Sequence, residues 1–169
     1  YYLARMLESG EDIKFIARRI MICAAEDVSN ADPQALVVAV QAAQAVERIG
    51  MPESQIILAQ AAAYVACAPK SNSAVTAIGA AMQYVSTHPE HKIPPYLQDS
   101  HYKGAAKLGR GIGYQYAHDF ENHYVEQQYL PDEIRDMKFY ELSDMGMEKR
   151  LKEHLTAIKR GGTHGKGEE

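Results

Sequence analysis

Apolar residues recur at helical spacing through the first half of the chain. In the opening "YYLARMLESG", Leu3, Met6 and Leu7 read as a helix, and Gly10 stands where a C-terminal glycine closes one. Glu11 and Asp12 then put negative charge at the start of the next helix, where unpaired backbone amides favour it. In "DIKFIARRIMICAAED" the residues Ile13, Ile16, Ala17, Ile20, Met21 and Ala24 follow the i, i+3, i+4, i+7 rule and lie opposite Lys14, Arg18 and Arg19. That pattern predicts an ordinary core-facing helix. Asp32 before Pro33 predicts another start, because the carboxylate can cap while proline fills the first turn without wasting an amide. Gly50 and Pro52 divide this helix from the next.

"PQALVVAVQAAQAVERIG" and "PESQIILAQAAAYVACAP" differ from the helix before them, since Ala, Val and Ile cover nearly every face. A helix apolar all round is normally central. Two in succession are more than one small core easily hides, so Leu36, Val37, Val40, Ile56, Ile57 and Tyr64 are expected to anchor either the core or a contact between copies. Periodicity alone does not separate those fates. Glutamines interrupt both runs before they reach the length of a membrane span, and no membrane association is expected. After Pro69, Ser71 to Ser73 offer caps and Val75, Ile78, Met82 and Val85 share one stripe. Short turns join these helices, which favours a compact antiparallel stack.

At Pro89 the pattern changes. The Pro94-Pro95 pair enforces an extended path, and Gly, Tyr and His replace Ala and Val. "NHYVEQQYL" and "MKFYELS" have the β-branched and aromatic content of short strands. A last helix over about 146–159 carries Met147, Leu151, Leu155 and Ile158, and the tail "GGTHGKGEE" has nothing to bury and is expected to be disordered. These breaks divide the chain into a helical core (1–88), a Gly/Tyr/His-rich appendage (89–145), a helix returning to the core (146–160) and a tail (161–169).

Length, charge and cysteine content narrow the function. The 169 residues suit one domain with a proper core. Cys23 and Cys67 lie in apolar helical patterns without C-x-x-C spacing, so they read as buried hydrophobes in a reducing cytoplasm rather than a disulfide or zinc site. A net charge of −4 argues against a whole-domain grip on DNA or anionic lipid. The opening lacks an initiator methionine and a signal sequence yet is already helical, so the chain is expected to be a piece of something longer.

The densest chemistry lies in "KLGRGIGYQYAHDF", residues 107–120. Its glycines at 109, 111 and 113 fail the G-x-G-x-x-G spacing, with Tyr114 where the third glycine belongs, and no G-K-[ST] occurs to make a P-loop. His88, His91, His101, His118 and His123, with Asp119 and Glu121, show no metal-binding spacing, and Pro89 breaks the H-x-x-H of His88 and His91. No serine or cysteine has a motif that sets a base beside it. No catalytic, cofactor or metal residue is therefore expected. Tyr102, Lys103, Lys107, Arg110, Tyr114 and Tyr116 form a local basic and aromatic cluster. Such residues suit a single-strand stacking platform, or a loop whose tyrosines pack inward with Asp119 accepting a hydrogen bond.

"YYLARMLESGEDIKFIARRIMICAAEDVSNADPQAL", "APKSNSAVTAI", "GYQYAHDF" and "VEQQYLPDE" closely resemble the C-terminal region of the RarA/MgsA family, replication-associated recombination AAA+ ATPases whose eukaryotic relatives include the Werner-helicase-interacting ATPase. The likeness covers about residues 1–158. It implies a fold that is mainly α: a compact, collar-like bundle of about five to six helices with a small irregular appendage containing short β-strands. It also implies an oligomerisation domain, tetrameric in bacterial members, of a clamp-loader-like enzyme acting in fork maintenance, recombination and repair. ATP and magnesium then belong to an ATPase domain outside this chain, which itself is no enzyme. The implied partners are further copies, the ATPase and lid domains, and single-stranded-DNA-binding protein, replisome components and DNA. The implied location is the cytoplasm, at the nucleoid in a bacterium.

Overall fold

The computed structural model describes residues 1–99, 101 and 104–161. Tyr102, Lys103 and the tail from residue 162 onward lie outside the described residues. Six α-helices form among the described residues: α1 (Tyr2–Glu8), α2 (Ile13–Cys23), α3 (Gln34–Ile49), α4 (Ser54–Cys67), α5 (Ser73–Thr87) and α6 (Gly146–Gly161). The chain divides into two compact units, one of residues 1–79 with 140–152 and one of residues 80–139 with 153–169.

In the first unit the sequence signals act where they stand. Gly10, at φ 79°, takes a left-handed conformation behind α1. The Asp12 carboxylate accepts from the Lys14 amide at 2.9 Å and caps α2. Asp32 does the same for α3, accepting from the Gln34 amide at 3.1 Å. α2 continues through a π-helical turn, Ala24–Val28, which places both Ala24 and Val28 in the core. α3 buries Ala35, Ala39, Ala42 and Val46, and α4 buries Ser54, Leu58, Ala61 and Val65. Each set recurs every three or four residues, so each helix gives one narrow face to the interior. Alanine predominates there, which lets α2, α3 and α4 approach closely. Ser54 satisfies its buried hydroxyl by donating to the Gly50 carbonyl at 2.7 Å. Beyond α4, the Lys70 ammonium donates to the carbonyls of Val65 (2.7 Å), Ala66 (3.2 Å) and Ala68 (2.6 Å), neutralising the negative end of that helix.

α3 and α4 pack against each other and against α2 and supply residues to both core clusters, yet their apolar surface exceeds what that core covers. Within one chain each buries a single face, and large apolar residues on other faces stay exposed.

The second unit is built mostly of turns. Past α5 come short 3-10 turns at Pro95–Leu97, Ala105–Leu108, Ala117–Asp119, Glu121–His123 and Asp132–Ile134. Long-range bonds tie them, including Gly111 N–H to the Pro95 carbonyl at 2.9 Å and the Tyr96 hydroxyl to the Gln128 carbonyl at 2.6 Å. The short strands expected at 122–130 and 137–143 do not appear among the described residues. Tyr124 is extended, at φ −128° and ψ 136°. Backbone groups in these stretches instead pair with side chains, as the Gln128 carbonyl does with Tyr96 and the Ser143 amide with Glu148. Aromatic and β-branched residues extend the backbone, but a strand also needs a neighbour to pair with.

Candidate assembly surface

The anchors expected from the sequence divide by exposure. Val37 and Ile56 stand 53% and 67% exposed, and Leu36 and Tyr64 are also exposed. Val40 and Ile57 are half-buried, and Ile57 packs against the cluster of Ile16, Ala17, Val46 and Leu58. Tyr64 is fixed by its hydroxyl, which donates to the Asp32 carboxylate at 2.9 Å. That hydrogen bond, with a smaller contribution from burial, pushes the phenol above its usual range.

A second apolar face is the α5 stripe, which the sequence marked out but did not assign to a contact between copies. On α5, Ile78, Met82 and Val85 are 61%, 62% and 71% exposed, and Val75 shares their stripe. Hydrophobic residues on a helix normally mark the side facing its own core. Here the periodicity was readable, but whether the chain covers the stripe was not.

The start of α6 carries the most heavily bonded polar side chain of the first unit. Glu148 is fully buried. Its Oε2 accepts from Ser71 Oγ (2.8 Å), Ser73 Oγ (2.9 Å) and the Ser143 amide (2.9 Å), and its Oε1 accepts from the Tyr140 hydroxyl (2.7 Å). Asn30 donates in turn to Tyr140 at 2.9 Å. Burial acts to raise the pKa of Glu148, but the donated hydrogen bonds outweigh it and bring it down to about 2. The carboxylate thus stays charged with no cation beside it among these partners. It joins the start of α6 to the segment between α4 and α5. Gly146 allows the approach, because at φ 50° an added Cβ would collide with the Ala31 carbonyl.

In the 107–120 segment Gly109, Gly111 and Gly113 all adopt positive φ, between 72° and 84°, and that requirement accounts for their alternate spacing. Lys107 and Arg110 are exposed, and Tyr114 and Tyr116 are each 54% exposed, so the loop does not pack its tyrosines inward. Tyr116 instead lies 5.0 Å from the His118 ring, which lies 4.8 Å from that of His123. Among the described residues no three His, Cys, Asp or Glu side chains are grouped to hold a metal, and no helix is long and apolar enough to cross a membrane.

A family model described as MgsA AAA+ ATPase C terminal matches residues 1–159. The chain belongs to this family. Relatives of this MgsA C-terminal chain include an uncharacterized AAA domain-containing protein of Mycobacterium tuberculosis, 48% identical over 94% of the chain and 35% of the relative. Replication-associated recombination protein A of Bacillus subtilis is 44% identical over 86% of the chain and 34% of that protein. The Escherichia coli K12 protein of the same name is 38% identical over 92% of the chain and 35% of its own length. The chain therefore spans about a third of the curated relatives it matches.

Proposed function

We propose that this MgsA C-terminal chain is the assembly module of a clamp-loader-like AAA+ ATPase working in replication-associated recombination and fork maintenance. It holds copies together, four in the full assembly, and so sets the geometry in which their ATPase domains meet. ATP and magnesium are bound by the part of the protein outside this chain, and the chain itself catalyses nothing. The assembly works in the cytoplasm.

One observation carries this reading: the outward apolar faces of α3, α4 and α5, with Val37, Ile56, Ile78, Met82 and Val85 more than half exposed. Covering a residue of this size recovers up to about 1.5–3 kcal/mol, whereas association costs about 4–15 kcal/mol, so an interface needs several such anchors together. Two double variants test it, Val37→Glu with Ile56→Glu and Ile78→Glu with Met82→Glu. Sedimentation velocity should find folded monomers, checked by circular dichroism, at concentrations where the parent chain assembles. If both variants assemble like the parent, these faces are not the joint.

The exposed rings of Tyr114, Tyr116, His118 and His123, with exposed Lys107 and Arg110 shortly before them in sequence, favour a second role, docking single-stranded DNA or a replisome partner such as single-stranded-DNA-binding protein. It predicts oligonucleotide binding that falls steeply with salt. Unchanged anisotropy of a fluorescent oligonucleotide at low salt would remove that role from this chain.

A further inference from the structure

In the second unit, the C-terminal end of α5 borders a cavity of about 380 Å³ whose lining shares Val85 with the assembly face of α5. One wall is Tyr84, held from three sides. Its ring stacks on His88 with centroids 3.9 Å apart and planes 9° from parallel, it forms an edge-to-face pair with Phe139 at a centroid distance of 6.1 Å, and its hydroxyl lies 2.9 Å from His91 Nε2. His91 Nδ1 in turn faces Glu133 Oε2 at 3.6 Å. Leu130, Pro131 and Ile134 also line the cavity, and the Ile134 amide closes a turn onto the Pro131 carbonyl at 3.0 Å. Gln128 braces that turn by donating to the Leu130 carbonyl (2.9 Å) and Asp132 Oδ1 (2.8 Å).

The walls are mostly apolar, with His88, Glu90 and His91 as their polar members. Glu90 lines the cavity, Glu133 sits beside lining residue His91, and no lysine or arginine is among the described lining residues. Val85, 71% exposed, belongs to both the lining and the α5 stripe assigned to assembly, so the two surfaces meet at this residue. The volume is at the small end of ligand clefts, enough for one large side chain with part of its flanking backbone.

We propose that this cavity receives a bulky apolar side chain from a partner protein, with a neighbouring lysine or arginine of that partner set against Glu90 and Glu133. Tyr84 and Phe139 supply aromatic faces for the apolar group, and the carboxylates select its charge by attracting a cation and repelling an anion. An apolar cavity with carboxylates at its side fits a peptide segment that carries an apolar side chain and a cation together. The site needs no contribution from the assembly faces on α3 and α4.

Methyl NMR of the complete chain tests this with two probes, phenethylamine and 3-phenylpropionate, which share a phenyl ring on a short chain and differ in charge. Phenethylamine should shift the methyl signals of Val85, Leu130 and Ile134 with a Kd of about 1–10 mM, as expected for so small a ligand. The anionic probe should bind about five- to tenfold more weakly, the scale of two exposed carboxylates. In the double variant Glu90→Gln, Glu133→Gln, which alters only exposed positions, the two probes should bind alike. Equal affinity for the parent chain, preference for the anion, or shifts confined to other methyl groups would overturn the proposal. So would shifts of the Leu130 and Ile134 signals on dilution of the chain alone, which would make a second copy the occupant; Val85 is left out of this control because it also lies on the α5 assembly face.

Discussion

Replacing Glu148 by glutamine keeps the shape of the side chain and removes its charge. In the native fold the carboxylate only accepts, from Ser71, Ser73, Ser143 and Tyr140, and an amide turns half of that acceptor into a donor. The pKa sets the size of the effect. Glu148 falls from an ordinary 4.5 to about 2, and about 1.4 kcal/mol accompanies each unit of pKa, so the charged form contributes up to about 3 kcal/mol relative to the neutral one. E148Q should therefore lose about 2–3 kcal/mol at neutral pH. E148A, which abandons the donors altogether, should lose about 3–5 kcal/mol. Because the folded pKa is depressed, this stability is complete above the unfolded value of 4.5 and drains away as pH falls toward 2. Urea unfolding of the parent chain and E148Q, followed by circular dichroism at pH 7, 5 and 3.5, reads both quantities. The gap should hold from pH 7 to 5 and be visibly smaller at 3.5. A gap below about 0.5 kcal/mol at pH 7, or one that does not shrink in acid, would refute the role assigned to this carboxylate.

Three further outcomes follow from the same unit. Gly146→Ala should cost about 2–4 kcal/mol in urea unfolding, because its Cβ meets the Ala31 carbonyl and Pro69 Cγ at 2.8 Å while φ is positive. Lys70→Met should cost about 1–2 kcal/mol in the same assay through the loss of the ammonium that caps α4, and low salt should enlarge the difference. In Asp32→Asn, the Tyr64 phenol should titrate closer to its ordinary value of 10.0, since the hydrogen bond to the Asp32 carboxylate is the largest cause of its rise; an ultraviolet titration compared with Tyr64→Phe isolates that ring.

Local signals in the sequence located the helices well. Gly10, Asp12, Asp32 and Gly50 act within a few residues of themselves, and the backbone around each obeys them. Which face turns inward was less legible on α3 and α4, because alanine, valine and isoleucine surround both helices while the buried faces use mainly small residues. On α5 the stripe itself was plain, but covering it depends on surfaces far away in sequence. The strands expected at 122–130 and 137–143 failed for the same reason, since composition can extend a segment without providing its partner. The bonding of Glu148 is only half local: Tyr140 and Ser143 lie eight and five residues before it, but Ser71 and Ser73 reach it from 77 and 75 residues away. In the 107–120 loop the need for glycine was legible, whereas the contacts of Tyr116, His118 and His123 depend on where the turn at Glu121–His123 returns the chain.

The central claim is that one copy leaves apolar helix faces for others to cover. Light scattering coupled to size exclusion tests it most directly, on the parent chain loaded over a wide range of concentrations. The account predicts a particle of about 75 kDa, four chains of 18.8 kDa, giving way to smaller species only at high dilution. A single 18.8 kDa species at every concentration would contradict it.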